Sequence, residues 1–590
     1  MTSPVSTRST ASAARAWALV TLLCCVFGFW LRWVNAHSDL GSPSVDENDI
    51  VQQGVAFMGG EWRYYLPEYG PLPMYALAAL YRLVALLRGL SPLDYAARVF
   101  FDGQEQYLIG RLFCAACYLP LALCSYRYLA PRYGRSAACA SAVLLSLPVL
   151  DQLTKSTVRI DVQQGAFQLG AMLLLALALE TNRWRHWLGA GLCAGLSMAC
   201  KPLPGLLVAP CFLAASWFAA DSASAGDADA SARSWRSGPK ALLLRIGRTL
   251  GRPALWAAGA VALAAALLAN PTALDVKEFV QAQTKATSYY SGPNAPGAHL
   301  TAFEALRSLR PPLLISAALC VVLVVFVRDR RVKLLTLFPL VYSSAFWGRP
   351  VRTYYMVAPA MTMCVVIGIC VGLLLDRRRF GGGELPSEVE AGALAAPHEA
   401  PTRETSTRWS GVLLGAGLVL AFLASVTWVP VRDLYLEKQL VSKATLAREW
   451  IHAQIPAGTK LFHYGTFAGG PRLVAANWRQ ESAWADFFDY GREKYEFYRE
   501  AFRKAYVEYR LQGEPFYDID SFRATAEPAK NVKPWLSRGL ARRAAKDGRE
   551  YIILGGYRAE HYRELGFSWI DEVEVVQEFG KIVIFRVPKP

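Results

Sequence analysis

The feature that most constrains this chain is a series of apolar runs, about 16–23 residues each and nearly free of charge. At 1.5 Å per residue, runs of that length cross roughly 30 Å of hydrocarbon as helices. A chain of 590 residues would otherwise suggest several soluble domains. The runs override that prior, and the chain reads as an integral membrane protein.

The formal charge of +16 falls mostly in short basic clusters between the runs. It therefore reads as cytoplasmic loops obeying the positive-inside bias, and no nucleic-acid partner is expected. All 12 cysteines lie between Cys24 and Cys370, in or at the edges of apolar runs. Neither a disulfide framework nor a metal-binding pattern is suggested, and these residues read as small apolar side chains.

The first run, Ala16–Leu31, follows a Ser/Thr/Ala-rich start with Arg8 and Arg15. A cleaved signal peptide competes with a retained helix. The helix is favoured because apolar residues continue to Val34 with no clear small-x-small site. The two arginines then hold the N-terminus in the cytoplasm. The segment Pro71–Leu87 is apolar but short, begins with prolines and contains Arg82. It either spans or lies in the interface. Taken as interfacial, it puts every basic loop inside.

Eleven crossings follow: Ala16–Leu31, Leu108–Leu129, Ser136–Leu153, Val162–Leu179, Trp187–Cys200, Leu203–Ala220, Pro253–Ala269, Leu313–Val327, Leu334–Trp347, Tyr354–Leu375 and Trp409–Trp428. The expected fold class is a polytopic α-helical membrane protein, with interfacial helices in its first outer loop. Residues 1–429 form the transmembrane catalytic domain, with a first outer loop at 35–106 and cytoplasmic loops at 221–252 and 376–408. A long outer loop, Asn270–Arg310, is expected between crossings, and a short amphipathic stretch near Leu242. Residues 430–590 turn polar and form an outer α/β domain. Strands are expected at Lys460–Tyr464, Tyr551–Leu554 and Lys581–Arg586, with helices at Ala444–Gln454 and Trp535–Lys546. Ala/Arg-rich usage points to a bacterial inner membrane with a periplasmic C-terminal domain.

Charges at a membrane edge are expensive and carry a functional hypothesis. Asp46 and Glu47 follow the first run directly, within an acidic and aromatic stretch that extends to Pro73. Arg159 and Asp161 stand at the outer start of the Val162–Leu179 crossing. Lys201 interrupts apolar sequence before Pro202, and Arg352, Tyr354 and Tyr355 follow a basic outer turn against the positive-inside bias. Tyr64, Tyr65 and Tyr69 either stack on a sugar or anchor the interface. The anchor role is preferred, with Tyr65 kept as a candidate substrate contact. His463 and the glycines of 465–470 read as a structural histidine and a turn.

One carboxylate set among several cations suits group transfer from a phosphate-linked donor. A hydroxyl or amine acceptor needs a carboxylate to take its proton, whereas a phosphate leaving group needs cations and no proton donor. Arg suits bidentate phosphate contact and Lys a point-charge contact.

The order of the motifs carries a resemblance. An acidic pair follows the first helix, then an aromatic and Pro-rich loop and RLFCAACYLPLALCSYRYLAPRYGR. VRID, GAGLCAGLSMACKPLPGLLVAP and RTYYMVAPAMTM come after it. Over roughly residues 16–375 the chain resembles the GT-C membrane glycosyltransferases of the protein O-mannosyltransferase and aminoarabinose transferase type. That resemblance implies inverting transfer on the outer face, from a polyprenyl-phosphate sugar to a glycolipid, polysaccharide or protein. It implies Asp46 as base with Glu47 beside it, Asp161 at the second acidic position, and Lys201 and Arg352 on the donor phosphate. VRID departs from the family's tighter acidic pair. No resident cofactor is expected, although members differ in metal dependence and a carboxylate-bound divalent cation stays open. The rival readings are a transporter or lipid flippase with Arg159, Asp161 and Lys201 as a polar relay, and a non-catalytic subunit of envelope assembly.

Overall fold

The computed structural model describes residues 6–36, 45–62, 69–102, 104–147, 157–223, 239–291, 329–345, 353–375, 443–464, 517–521, 540–555, 558–564, 568–580 and 582–588, with 497, 500–501, 503–505 and 507. Its first part is a bundle of helices: α1 (Ser6–Ala36), α2 (Val45–Met58), α3 (Leu72–Leu87), α4 (Pro92–Asp102), α5 (Gln104–Ala116), α6 (Tyr118–Tyr133), α7 (Arg135–Ser146), α8 (Ile160–Thr181) and α9 (Trp184–Cys200). It continues with α10 (Pro202–Leu206), α11 (Ala209–Ala223), α12 (Pro239–Leu250), α13 (Pro253–Ala269), α14 (Val276–Ser291), α15 (Arg330–Ala345) and α16 (Val357–Leu375).

Among the described residues, four helical stretches are long and apolar enough to cross a membrane: Glu105–Tyr133, Ile160–Thr181, Pro202–Ala220 and Tyr354–Leu373. Two bent pairs raise that to six, and Ala18–Val34 and Arg135–Ser146 are shorter apolar helices. The expected crossings Leu313–Val327 and Trp409–Trp428 lie outside the described residues. In α1, Leu19, Leu22, Leu23, Val26 and Trp30 are exposed, while Thr21, Leu31 and Arg32 are buried. An apolar face turned outward from a packed helix is a lipid-facing face. This is an integral membrane protein.

The segment expected at the interface, Pro71–Leu87, forms the helix Leu72–Leu87, which meets the following helix, Pro92–Val99, at a bend of 99°. At most one arm of such a pair can lie along the bilayer normal. Met74, Leu77 and Tyr81 of α3 are buried, and its Leu83, Leu86 and Leu87 are exposed. Arg82 donates from Nε to the Met58 carbonyl at 2.9 Å, satisfying an end of α2 that lacks an intrahelical partner. The outer loop Asn270–Arg310 differs from its expected form, because it contains a 3₁₀ turn, Pro271–Leu274, and then α14. Val276, Phe279 and Val280 repeat at helical spacing after Asp275, a residue type that favours helix starts.

The C-terminal region holds helix α17 (Lys443–Gln454) and the strands β1 (Lys460–Tyr464), β2 (Asp518–Ser521), β3 (Tyr551–Gly555), β4 (Glu574–Phe579) and β5 (Ile582–Arg586). The sheet order is β2-β1-β3-β5-β4, with β1 parallel to β2 and β3, and β5 antiparallel to β3 and β4. Alternation sorts the side chains of β3 and β5. Ile552, Leu554, Val583 and Phe585 pack with Trp569 and Tyr562, while Ile553 and Ile584 join Ala447 and Ile451 of α17. The three expected strands are present. The two that the pattern missed, β2 and β4, are edge strands, where polar residues are the rule.

The C-terminal region also touches the segment that follows α2 and helix α4. Phe497 donates its backbone N–H to Glu61 Oε1 at 3.0 Å, and Lys504 pairs with Asp94. A Cβ added at Gly59 would lie 2.4 Å from the Phe497 ring, so the glycine permits this approach.

His463, on the interior strand β1, is buried, and burial pushes its imidazole down to about 4. Its unfolded pKa is about 6.5, so between those values the unfolded chain binds a proton that the folded one refuses. Stability is therefore full above pH 6.5 and falls by about 3 kcal/mol as pH drops to 4. His463→Phe should flatten this limb in a pH series of thermal unfolding on the full chain.

Candidate active site

Helices α8 and α9 form an antiparallel hairpin turned at Asn182, which adopts a left-handed conformation at φ 51°. This folds the start of α8 beside the end of α9. Arg159 precedes α8 in extended conformation, and Asp161 lies in its first turn, where the helix dipole favours a carboxylate. At the other terminus α9 stops at Cys200 because Pro202 follows. The residue before a proline is held out of the helical region, and Lys201 is extended at φ −152° and ψ 102°.

The two ends meet in one ion pair. Lys201 Nζ lies 2.9 Å from Asp161 Oδ1, with both side chains nearly inaccessible at 7% and 5%. The 3₁₀ turn Thr353–Met356 brings two aromatic faces to the same place. Lys201 Nζ is 3.9 Å from the Tyr355 ring centre and 5.6 Å from those of Tyr354 and Tyr69. The Arg159 guanidinium lies 4.3 Å from the Tyr354 ring centre, and its Nε donates to Thr157 Oγ1 at 3.1 Å. Among the described residues, the cluster brings together the cations Lys201 and Arg159 and the carboxylate Asp161, in a setting where desolvation strengthens cation–π attraction.

Tyr69 is placed by a backbone bond, Gly70 N–H to the Cys200 carbonyl at 2.8 Å. A Cβ at Gly70 would fall 1.8 Å from the Ala199 oxygen, so only glycine allows this contact. Gly70→Ala should force residues 69–70 away from α9 and lower stability by about 1–3 kcal/mol, read by thermal unfolding.

Glu47 is fully buried and held on two sides. Arg111 donates to it from Nε at 2.7 Å and from Nη2 at 3.0 Å, a bidentate pair, and the Val158 N–H donates at 3.0 Å. Arg111 also donates to the Ala36 carbonyl at 3.3 Å. The pair therefore ties α2, α5 and the end of α1 to the extended segment that carries Arg159. Asp46 lies in the first turn of α2, one residue before Glu47, and its side chain lies outside the described residues. Arg352 and Tyr65 also lie outside them.

Sequence reasoning did not single out Arg111, Arg32 or the glutamines of α8. Arg32 is buried over the Tyr118 ring and donates to the carbonyls of Leu145, Ser146 and Leu147. Gln168 Nε2 donates to the Pro204 carbonyl at 2.8 Å, which places a donor on the backbone of the α9–α10 break. All are polar groups inside apolar runs, and that cost was the available signal. Among the described residues, no three His, Cys, Asp or Glu side chains gather to hold a metal ion. The described carboxylates of the site, Glu47 and Asp161, are each engaged by a cation.

No curated protein matches the chain. Among solved structures it is similar to ArnT from Cupriavidus metallidurans in the apo state, at 13% identity and a TM-score of 0.44, covering 98% of each chain. It is also similar to the archaeal oligosaccharyltransferase AglB from Archaeoglobus fulgidus in complex with an inhibitory peptide and a dolichol-phosphate. There the identity is 11% and the TM-score 0.42, with 96% of this chain and 74% of that chain covered. The family model for dolichyl-phosphate-mannose-protein mannosyltransferase matches residues 95–224. That segment holds Arg111, Arg159, Asp161 and Lys201, and three of the motifs that carry the resemblance to GT-C glycosyltransferases. The chain is thus similar over residues 95–224 to the dolichyl-phosphate-mannose-protein mannosyltransferase family, a match that spans less than half of its length.

Proposed function

We propose that this protein is a membrane glycosyltransferase that moves a sugar from a polyprenyl-phosphate donor to a hydroxyl or amine acceptor on the outer face of the membrane. The observation that carries this reading is the buried Lys201–Asp161 pair beside Arg159, at the broken end of α9 and inside the matched segment. Lys201 and Arg159, with Arg352 as a further donor-phosphate contact, hold the donor phosphate and stabilise the charge that grows on it as the sugar leaves. Asp161 acts through Lys201, fixing its ammonium among the tyrosine faces.

Asp46 is the base in this reading. As the acceptor oxygen or nitrogen bonds to the anomeric carbon, its proton passes to the Asp46 carboxylate and the carbon–phosphate oxygen bond breaks. Attack opposite the leaving phosphate inverts the anomeric centre. Glu47, bound by Arg111 and Val158, positions α2 rather than taking the proton. Tyr354 and Tyr355 hold the cations, Tyr65 anchors the outer loop or meets the sugar, and the outer domain presents the acceptor. The orientation that suits this chemistry has the N-terminus in the cytoplasm and residues 430–590 in the periplasm of a bacterial inner membrane.

The test uses full-length protein in nanodiscs with radiolabelled polyprenyl-phosphate sugars and a membrane extract as acceptor source. Wild type should move label to an acceptor, and Asp46→Asn should lower turnover by at least about 10²-fold, the scale of lost general-base catalysis. Equal turnover by Asp46→Asn would remove it from the mechanism. A break between helices at a buried charge pair is also a feature of transporters. Lipid or solute movement by wild type without label transfer would favour that second reading.

A further inference from the structure

The Lys201 cluster occupies one end of α9, and the other end of that helix, about 25 Å away along its 17 residues, carries a second set of cations. Arg183, Trp184 and Arg185 are exposed at the turn between α8 and α9. Arg252 Nη2 donates to Asn182 Oδ1 at 2.7 Å, joining this turn to the start of α13. Just before it, α12 contributes Arg245 and Arg248. The nearby carboxylate Glu180 is engaged by Arg132 and Arg331.

Helix α12 has two unlike faces. One is seated on α11: the Thr249 carbonyl accepts from Ser216 Oγ at 2.8 Å, and the Arg245 guanidinium lies 4.0 Å from the Trp217 ring centre. The opposite arc is apolar and open, with Leu243 and Leu244 each 66% exposed and Ile246 and Leu250 beside them. Arg248 borders that arc. The helix meets α13 at 50°, so the two do not share an axis. The open arc continues into exposed Trp256, Leu263 and Leu268 of α13, and Trp256 Nε1 donates to the Leu250 carbonyl at the junction.

We propose that α12 and the α8–α9 turn form a binding surface for anionic phospholipid headgroups. The continuity of the open apolar arc with the exposed apolar residues Trp256, Leu263 and Leu268 of α13 selects lipid as its occupant. A helix tilted from the span, apolar on one arc and flanked by arginines, is the form that lies in the headgroup layer. Trp184 and Trp256 sit where indoles favour the polar–apolar boundary. Arg183, Arg185 and Arg248 then reach phosphate diesters, for which guanidinium is suited. The surface rests on the membrane reading alone, so it stands or falls independently of sugar transfer.

The experiment extracts full-length protein from vesicles of phosphatidylcholine mixed with phosphatidylglycerol and measures the retained lipids by mass spectrometry. Wild type should retain phosphatidylglycerol at about fivefold or more over its bulk share, and the excess should fall as salt rises. Arg183→Gln with Arg185→Gln and Arg248→Gln should return the ratio to bulk. Leu243→Gln with Leu244→Gln should reduce total retained lipid at this surface. Retention at the bulk ratio by wild type would overturn the proposal and leave the arginines to an acidic protein partner. An excess unchanged by salt would also overturn it, and that arm needs no variant to fold.

Discussion

Lys201→Met is expected to lower sugar transfer by about 10²–10³-fold, the loss that follows removal of one preorganised charge at a reacting centre. The same change strands Asp161, whose carboxylate has Lys201 as its ion-pair partner at 2.9 Å in a nearly inaccessible setting. An uncompensated buried carboxylate costs about 3–5 kcal/mol, so the single variant confounds folding with function. Lys201→Met combined with Asp161→Asn separates them. Removing both charges should restore the unfolding temperature toward wild type, because a buried pair adds little net stability over a neutral replacement. Transfer should stay lost, since the neutral pair offers no cation to phosphate. Recovery of both properties in the double variant would assign Lys201 a structural role only.

Arg111→Leu should destabilise the protein by about 3–5 kcal/mol, leaving Glu47 buried without its bidentate partner. Its effect reaches further than stability, because Glu47 also accepts from the Val158 N–H and so fixes the extended segment that carries Arg159. Glu47→Gln with Arg111→Met keeps side-chain volume while removing both charges, and should recover most of the unfolding temperature. If Glu47 positions α2, the double variant should lose turnover more than donor affinity, read as a fall in kcat with a smaller change in KM. Wild-type turnover in the double variant would reduce the pair to a packing element.

The sequence made the apolar stretches Glu105–Tyr133, Ile160–Thr181, Pro202–Ala220 and Tyr354–Leu373 legible, because hydrocarbon thickness leaves a length that can be counted. It also made Lys201 and Asp161 legible one at a time, each as a charge out of place in apolar surroundings. It grouped them with Arg159 in the relay reading without showing that they form one ion pair. Their pairing depends on the α8–α9 hairpin and on Pro202 holding Lys201 extended, and these are properties of the folded backbone. Glu47 and Arg111 were less legible for the same reason. They stand 64 positions apart, and a single chain shows no link between them. Arg82 was visible as a reason to doubt a membrane crossing, yet its use is local, as the donor to the Met58 carbonyl. Helix α14 was hidden by its surroundings, since Gly and Pro from position 292 onward made the whole of Asn270–Arg310 read as loop. The edge strands β2 and β4 were hidden by polarity, which an edge tolerates and a central strand does not.

The measurement that tests the central claim most directly is a structure of the full-length protein in nanodiscs with polyprenyl phosphate bound. The account predicts phosphate density within hydrogen-bond reach of Lys201 Nζ or the Arg159 guanidinium, with the lipid chain leaving toward the bilayer beside α3. Phosphate density elsewhere, with the Lys201–Asp161 pair and its tyrosines undisturbed, would contradict it.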